Sequence, residues 1–398
     1  MISPAHSFPR RPIAALLVIV PALLTSLLIA LAGCNGMMGN PLMAPAQTTA
    51  FAFVSNSGAG TVSAFAVSSS GGFSAVSGSP FPAGSGAEFM AFDAVHKLLF
   101  VSNQSANSVS EFSVDTAAGT LTAVTGSPVA TGARPTAVAV DPGGRFLFVA
   151  QQAANSIAAF SIGLGGALAP VAGSPFPATS PFGLAVNPAG STLFAGDFPD
   201  SSVSDLNTVS AFSIGANGTL TPVSGSPFAD ASSSTGFASA VGILVDPSGK
   251  FLFAADHMAE SVVPFNINTT SGALSPVSAL PAPASSCGTS CHHNPLRLAV
   301  DPADKFIYWT NVQNGTVSAF NINNGNLMPV AETPTGAHPF GLALDPTGQF
   351  LYVVNKADNT IAGFSVNPAS GTLAALPGFP VAEGSSAPTD IVIVPKTM

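Results

Sequence analysis

PFGLALDPTGQFLYVVNKADNTIAGFSVNPASGTLAALPGFPV (339–381) is one copy of a segment that RPTAVAVDPGGRFLFVAQQAANSIAAFSIGLGGALAPVAGSPF (134–176) repeats. Its central tag occurs as FAFVSN (51–56), LLFVSN (98–103), FLFVAQ (146–151), TLFAGD (192–197), FLFAAD (251–256), FIYWTN (306–311) and FLYVVN (350–355). Successive tags lie roughly 44 to 59 residues apart, the period of a β-propeller blade. Each copy holds four strand-like runs, A to D, separated by turn signals. In 339–381 these are GLALDP, QFLYVVN, TIAGFSV and TLAALPGFP. The first tag has no strand-A stretch before it, whereas APTDIVIVP (387–395) near the C-terminus matches that stretch. The expected fold is all-β, a seven-bladed propeller of four-stranded antiparallel blades whose C-terminal strand completes the first blade. A six-bladed ring would leave one clear tag unused.

The repeat sorts residues by duty. Asp141-Pro142, Asp246-Pro247, Asp301-Pro302 and Asp345-Pro346, with Asn187-Pro188 as a variant, are turn residues, because Asp accepts local backbone hydrogen bonds and Pro presets φ. Many of the 29 phenylalanines recur at blade spacing in strands B and C and read as packing between blades.

Three segments are expected. Residues 1–34 carry Arg10 and Arg11, an apolar run and Leu31-Ala32-Gly33-Cys34, the pattern of a secretory signal. That ending resembles the bacterial lipobox, which implies lipidation of Cys34; an uncleaved transmembrane anchor is the alternative. Residues 35–49 read as a flexible tether, and 50–398 as the propeller. The implied location is the bacterial cell envelope, with membrane contact only through the N-terminal lipid. The formal net charge is −9, and loss of Arg10 and Arg11 makes the chain more acidic still. That balance excludes nucleic acid as a partner.

The tags Phe350-Leu-Tyr-Val-Val-Asn355 and Phe306-Ile-Tyr-Trp-Thr-Asn311 resemble those of the seven-bladed β-propeller lactonase family, the 6-phosphogluconolactonase and cycloisomerase type, and of YVTN-repeat proteins. The resemblance covers about residues 50–398. It implies the fold and, as an activity, hydrolysis of a lactone.

Candidate chemistry lies where the repeat is broken. The residues preceding the strand-A proline position are Gly86, Arg134, Ser180, Ser239, Asn294, His338 and Ala387. Three positions further on come Phe89, Ala137, Gly183, Gly242, Arg297, Gly341 and Asp390. Small residues suit a narrowing channel, and Arg297 and Asp390 depart from that pattern. Glu88, Arg134, Arg297, His338 and Asp390 therefore form the candidate catalytic set at the channel mouth. In a hydrolase His338 would be the base, Arg297 or Arg134 the electrophile, and Glu88 or Asp390 the orienting carboxylate. An Arg–carboxylate network that merely satisfies itself fits the same residues.

Two enlarged loops add further candidates. Cys287-Gly-Thr-Ser-Cys291-His292-His293 is expected to hold a disulfide in an oxidising compartment, while two thiols and two imidazoles are also zinc or copper ligands by type. Covalent haem needs a different Cys spacing. Asp197, Asp200 and Asp205 in the loop after the fourth tag would suit calcium, or form a solvated acidic loop. No cofactor is otherwise implied. Two main function classes follow. One is a propeller binding a small molecule, glycan or protein at its rim. The other is a lactone hydrolase. A structural role in the envelope is a third.

Overall fold

The computed structural model describes residues 47–198, 208–229, 240–257, 260–277, 280–281, 293–384 and 387–397. They belong to one compact unit, Ala46–Met398. Seven antiparallel sheets succeed one another along the chain, each with strands in the order A-B-C-D. The molecule is a seven-bladed propeller. Its first blade takes strands B and C from Thr48–Asn56 and Thr61–Ser68 and strand A from Pro388–Pro395. Phe53 faces Val392 across that closing pair, and Ser55 faces Asp390. Blade 1 is thus sewn from both ends of the unit, so its strand B is paired on both sides instead of standing as an open edge. Gln47, Thr48 and Thr49, assigned above to the tether, are instead tied into this sheet. The Gln47 carbonyl accepts from Ser69 N at 2.8 Å and the Thr49 carbonyl from Lys396 N at 3.0 Å.

Strand B is buried along its length because blades cover both of its faces, as Leu98–Asn103 and Phe146–Gln151 are throughout. The junction between blades has one recurring contact. The first side chain of strand B sits under a glycine of the next blade's C–D turn, as Phe51 does under Gly119 and Phe306 under Gly371. A Cβ at those glycines would stand 2.2 and 2.4 Å from the rings, and both glycines have positive φ. Two independent requirements thus converge on one residue type. Tyr308 and Tyr352 reinforce the contact by donating their hydroxyls to the Gly371 and Gly71 carbonyls at 3.0 and 2.8 Å.

The Asp-Pro turns are structural. The Asp141, Asp246, Asp301 and Asp345 Oδ1 atoms each accept the amide that opens strand B at 2.6–2.7 Å. Arg145 donates its Nε to Asp141 at 2.9 Å while staying half exposed.

Strand D differs from the expected continuous run. In every blade except the sixth it is two short pieces, such as Leu168–Pro170 and Phe176–Pro177, separated by a turn. In blades 1 to 4 a Gly-Ser-Pro triplet lies at the break, and its Ser hydroxyl takes over a ladder position. Ser79, Ser127, Ser174 and Ser226 Oγ accept the amides of Ala64, Glu111, Ala159 and Ala211 at 2.8–2.9 Å. Blade 6 keeps one strand, Asn326–Pro334.

Glu111 breaks a pattern. Opposite the aromatic at the third position of the strand-B tag the other blades place Ala64, Ala159, Ala211, Pro264, Ala319 and Gly363, whereas Glu111 lies opposite Phe100. It is buried and its Oε1 has no hydrogen-bond partner among the described residues. Burial pushes the carboxyl up to about 7 from an ordinary 4.5. The fold tolerates the neutral form, so stability present below the unfolded value is lost as pH rises through the folded one. Glu111→Gln should remove that loss, which is on the order of 2 kcal/mol. The two proteins should unfold at similar temperatures near pH 4, and the variant several degrees higher near pH 8. Parallel pH profiles would reject the assignment.

Candidate functional site

The channel mouth is built on a repeated backbone device. The residue that leads into strand A has a left-handed conformation in all six described copies, with φ from 37° to 74° at Gly86, Arg134, Ser180, Asn294, His338 and Ala387. Its carbonyl accepts the amide of the residue just after the strand-B tag in a neighbouring loop. Gln104, Gln152, Phe198, Val312, Lys356 and Ser57 donate at 2.9–3.3 Å. Only backbone is used, so side chains at both positions are free to vary. Strand A then bulges, with register shifts between Ala87 and Met90, Pro295 and Leu298, and Pro339 and Leu342. Bulges re-aim side chains next to functional sites, and here they carry Glu88, Phe89 and Arg297. Where strand A has glycine, the next blade lies too close for a side chain. A Cβ on Gly242 would meet the Leu296 carbonyl at 1.9 Å.

Arg297 and Asp390 are brought together. Arg297 Nη2 donates to Asp390 Oδ2 at 3.2 Å, and the guanidinium lies over the Phe89 ring, 4.2 Å from its centroid. Asp390 Oδ2 also accepts the Met90 amide at 2.9 Å. Burial pushes the Asp390 carboxyl up, against the pull of Arg297 and the Met90 and Ile391 amides. Arg297 Nε is buried and has no hydrogen-bond partner among the described residues.

Glu88 is buried beside this pair, and its carboxyl makes no hydrogen bond among the described residues. Burial pushes it up, while Lys356, then Arg297, then Arg134 pull it down. The Arg134 backbone is anchored by Asn107 Oδ1 at 2.8 Å, but its guanidinium is exposed and makes no hydrogen bond or ion pair among the described residues. His338 also stands on the rim, exposed, beside an open cleft of about 520 Å³ lined by residues 313–315 and 334–338. Its ring contacts neither Arg297, Glu88 nor Asp390 through a hydrogen bond. Four of the five candidates therefore share one electrostatic neighbourhood, and His338 stands apart from it.

Sequence reasoning missed Lys356 and an aromatic row. Lys356 Nζ lies 4.5 Å from the Phe340 centroid. Phe340 stacks near Phe89 at 6.2 Å, Phe89 meets Phe182 edge-on at 5.6 Å, and Phe182 reaches Phe198 at 5.4 Å. The signal was available, since Lys356 and Phe198 directly follow their tags and so occupy the rim column that also holds Gln104 and Val312.

Asp197 is accounted for by the scaffold. The last tag residue of each blade is buried and bonded to strand C, as Asn56, Asn103 and Asn311 are through Ser63, Ser110 and Ser318 at 2.8–3.0 Å. Asp197 fills the same place. It accepts the Thr208 hydroxyl at 2.5 Å, and burial pushes it up to about 7. Asp200, Asp205, Cys34, Cys287, Cys291 and His292 lie outside the described residues. His293 is buried, with Nε2 3.7 Å from Glu332. No group of three or more His, Cys, Asp or Glu able to hold a metal ion occurs among the described residues.

Fold and rim together define a seven-bladed propeller with a charged, aromatic-lined mouth. A family model described as "Lactonase, 7-bladed beta-propeller" matches residues 43–207, 203–286 and 288–387, and the chain belongs to that family. A putative 6-phosphogluconolactonase from Bacteroides uniformis is 18% identical with a TM-score of 0.74, covering 87% of this chain and 100% of its own. One from Bacteroides fragilis is 19% identical with a TM-score of 0.75, covering 87% and 98%. The Pseudomonas aeruginosa periplasmic gluconolactonase is 18% identical with a TM-score of 0.74, covering 88% and 100%. At such identities the likeness is one of fold. No curated protein matches the chain.

The Arg297–Asp390 contact has a thermodynamic signature. Arg297→Ala leaves a buried carboxyl without its cation and should cost on the order of 3 kcal/mol. Adding Asp390→Asn should recover much of that loss in chemical denaturation. Additive effects of the two substitutions would show that the pair is not coupled.

Proposed function

We propose that this chain is an exported, lipid-anchored propeller whose channel mouth binds a small lactone, or the hydroxy acid derived from it, through carbonyl or carboxyl oxygens. Arg297 carries the reading. Phe89 and Asp390 hold the guanidinium in place, so it is preorganised, and the Arg297 side chain keeps 23% of its surface open to a ligand oxygen. Lys356 and Arg134 add positive charge nearby. Family membership supports a lactone in particular.

Hydrolysis of that lactone is a second reading, favoured by Glu88. A carboxyl raised by burial is matched to general-base work nearer neutral pH. Glu88 would take a proton from water as the hydroxide oxygen bonds to the carbonyl carbon. Arg297 would stabilise the resulting oxyanion, and the ring C–O bond would then break, its oxygen taking up the proton to give the hydroxy acid.

Calorimetric titration with glucono-δ-lactone, γ-butyrolactone and their hydroxy acids tests the binding. At least one should bind saturably, and Arg297→Lys, folded by circular dichroism, should weaken it tenfold or more. Absence of binding by every probe overturns the reading. Proton release from the same lactones tests hydrolysis, and Glu88→Gln should abolish it while binding persists. Wild-type rates equal to the uncatalysed rate leave a binding protein.

Anchoring rests on the Leu31-Ala32-Gly33-Cys34 ending. Metabolic labelling with palmitate should mark the protein, and the mature chain should begin at Cys34. Cys34→Ala should lose the label. A full-length, unlabelled wild-type chain would instead indicate an uncleaved apolar anchor.

A further inference from the structure

The mouth is divided in its chemistry. Glu88, Arg134 and Lys356 come from blades 2, 3 and 7 and face one another electrostatically. An adjoining arc, blades 4 to 7, carries an apolar cluster. Phe182, Phe198, Val312 and Phe340 pack into one cluster over the buried Val241 and Leu296. The first four keep part of their surface open at rim positions, directly after a strand-B tag or at the start of strand A. The aromatic row joins the arcs. It runs from Phe340, under Lys356, through Phe89, under Arg297, to Phe182 and Phe198.

We infer that the ligand is amphiphilic, a lactone bearing an aliphatic chain rather than a polyhydroxylated or phosphorylated sugar lactone. The inference rests on the lactone site proposed above and specifies its substrate class. The carbonyl end meets Arg297, and the chain lies along Phe182, Phe198 and Val312. A sugar lactone placed there would press hydroxyls against side chains that offer no hydrogen-bonding atom, and desolvated hydroxyls without partners are costly. A phosphate dianion is served no better. Asp390 already engages Arg297, and Glu88 stands among the remaining cations. An uncharged ester head avoids that conflict, and each methylene covered by the apolar arc gains hydrophobic stabilisation.

The test uses the mature full-length protein and a homologous series of γ-lactones, namely γ-butyrolactone, γ-hexalactone, γ-octalactone and γ-decalactone, with glucono-δ-lactone as the polar control. Affinity should rise by up to about fourfold per methylene that the arc covers. Phe198→Ala and Val312→Asn should flatten the dependence on chain length, the loss of affinity growing from γ-butyrolactone to γ-decalactone. Arg297→Lys should lower affinity by the same factor at every length. Two positions on different blades are used so that misfolding of one variant does not end the test. If glucono-δ-lactone binds and affinity does not grow with chain length, the amphiphilic class is wrong and the lactone site stands. If nothing in either series binds, the site itself is wrong.

Discussion

The blade junction is the constraint on which the rest depends. A single blade is apolar on both faces and has no stability without neighbours to cover them. At each junction the side chain opening strand B is roofed by a positive-φ glycine of the following blade, and the pairs continue around the ring to Phe350 beneath Gly71. Phe350 belongs to blade 7 and Gly71 to blade 1, so the last junction obeys the same rule as the first. The ring closes on geometry already used at the other junctions, with Tyr352 donating across the seam. A fully buried phenylalanine contributes about 2 kcal/mol relative to exposure, so repetition rather than any single contact makes the ring stable.

Because this scaffold satisfies itself through strands and turns, the mouth is free to vary. The left-handed residue before strand A uses only its carbonyl and amide, and Gly, Arg, Ser, Asn, His and Ala all serve there. A non-glycine in that conformation costs roughly 1 kcal/mol. A carbonyl hydrogen bond in every described copy, and an Asn Oδ1 accepting the amide at Arg134, Ser180 and Ala387, offset the strain. Identity at this position therefore carries little structural information, which is why Arg134 and His338 stand out in the sequence without being explained by the fold.

The same division decides what could be read from residues alone. Blade count, ring closure and the capping role of the Asp-Pro turns follow from local periodicity and turn chemistry, so the sequence displays them. Pairing of Arg297 with Asp390 was also legible as a tendency, since both break a column of small residues. Two things were not. In blades 1 to 4 the break in strand D is bridged by Ser79, Ser127, Ser174 and Ser226 reaching across to strand C, a contact between positions that the strand pattern treats as separate. The link from Lys356 through Phe340 to Phe89 spans blades 7 and 2. Neither distance nor ring orientation is encoded in a repeat unit. Separation of His338 from the charged cluster has the same origin, because a shared column gives a shared backbone position and not a shared side-chain direction.

The closing strand ties the site to the fold. Pro388–Pro395 pairs with strand B of blade 1 and packs beside strand A of blade 2. Asp390 on this strand accepts from the Met90 amide of blade 2 and from Arg297 of blade 6. Thr389, one residue earlier, donates to the Glu88 carbonyl at 3.0 Å, and Ser55 of blade 1 reaches the same carbonyl at 2.7 Å. The last strand to join the ring thus supplies the counter-ion of Arg297 and anchors the bulge that carries Glu88 and Phe89. An open ring would have neither a paired Arg297 nor a correctly held Glu88. The charged half of the mouth is therefore a property of the closed molecule rather than of any blade, and it forms only when the two ends of the propeller meet.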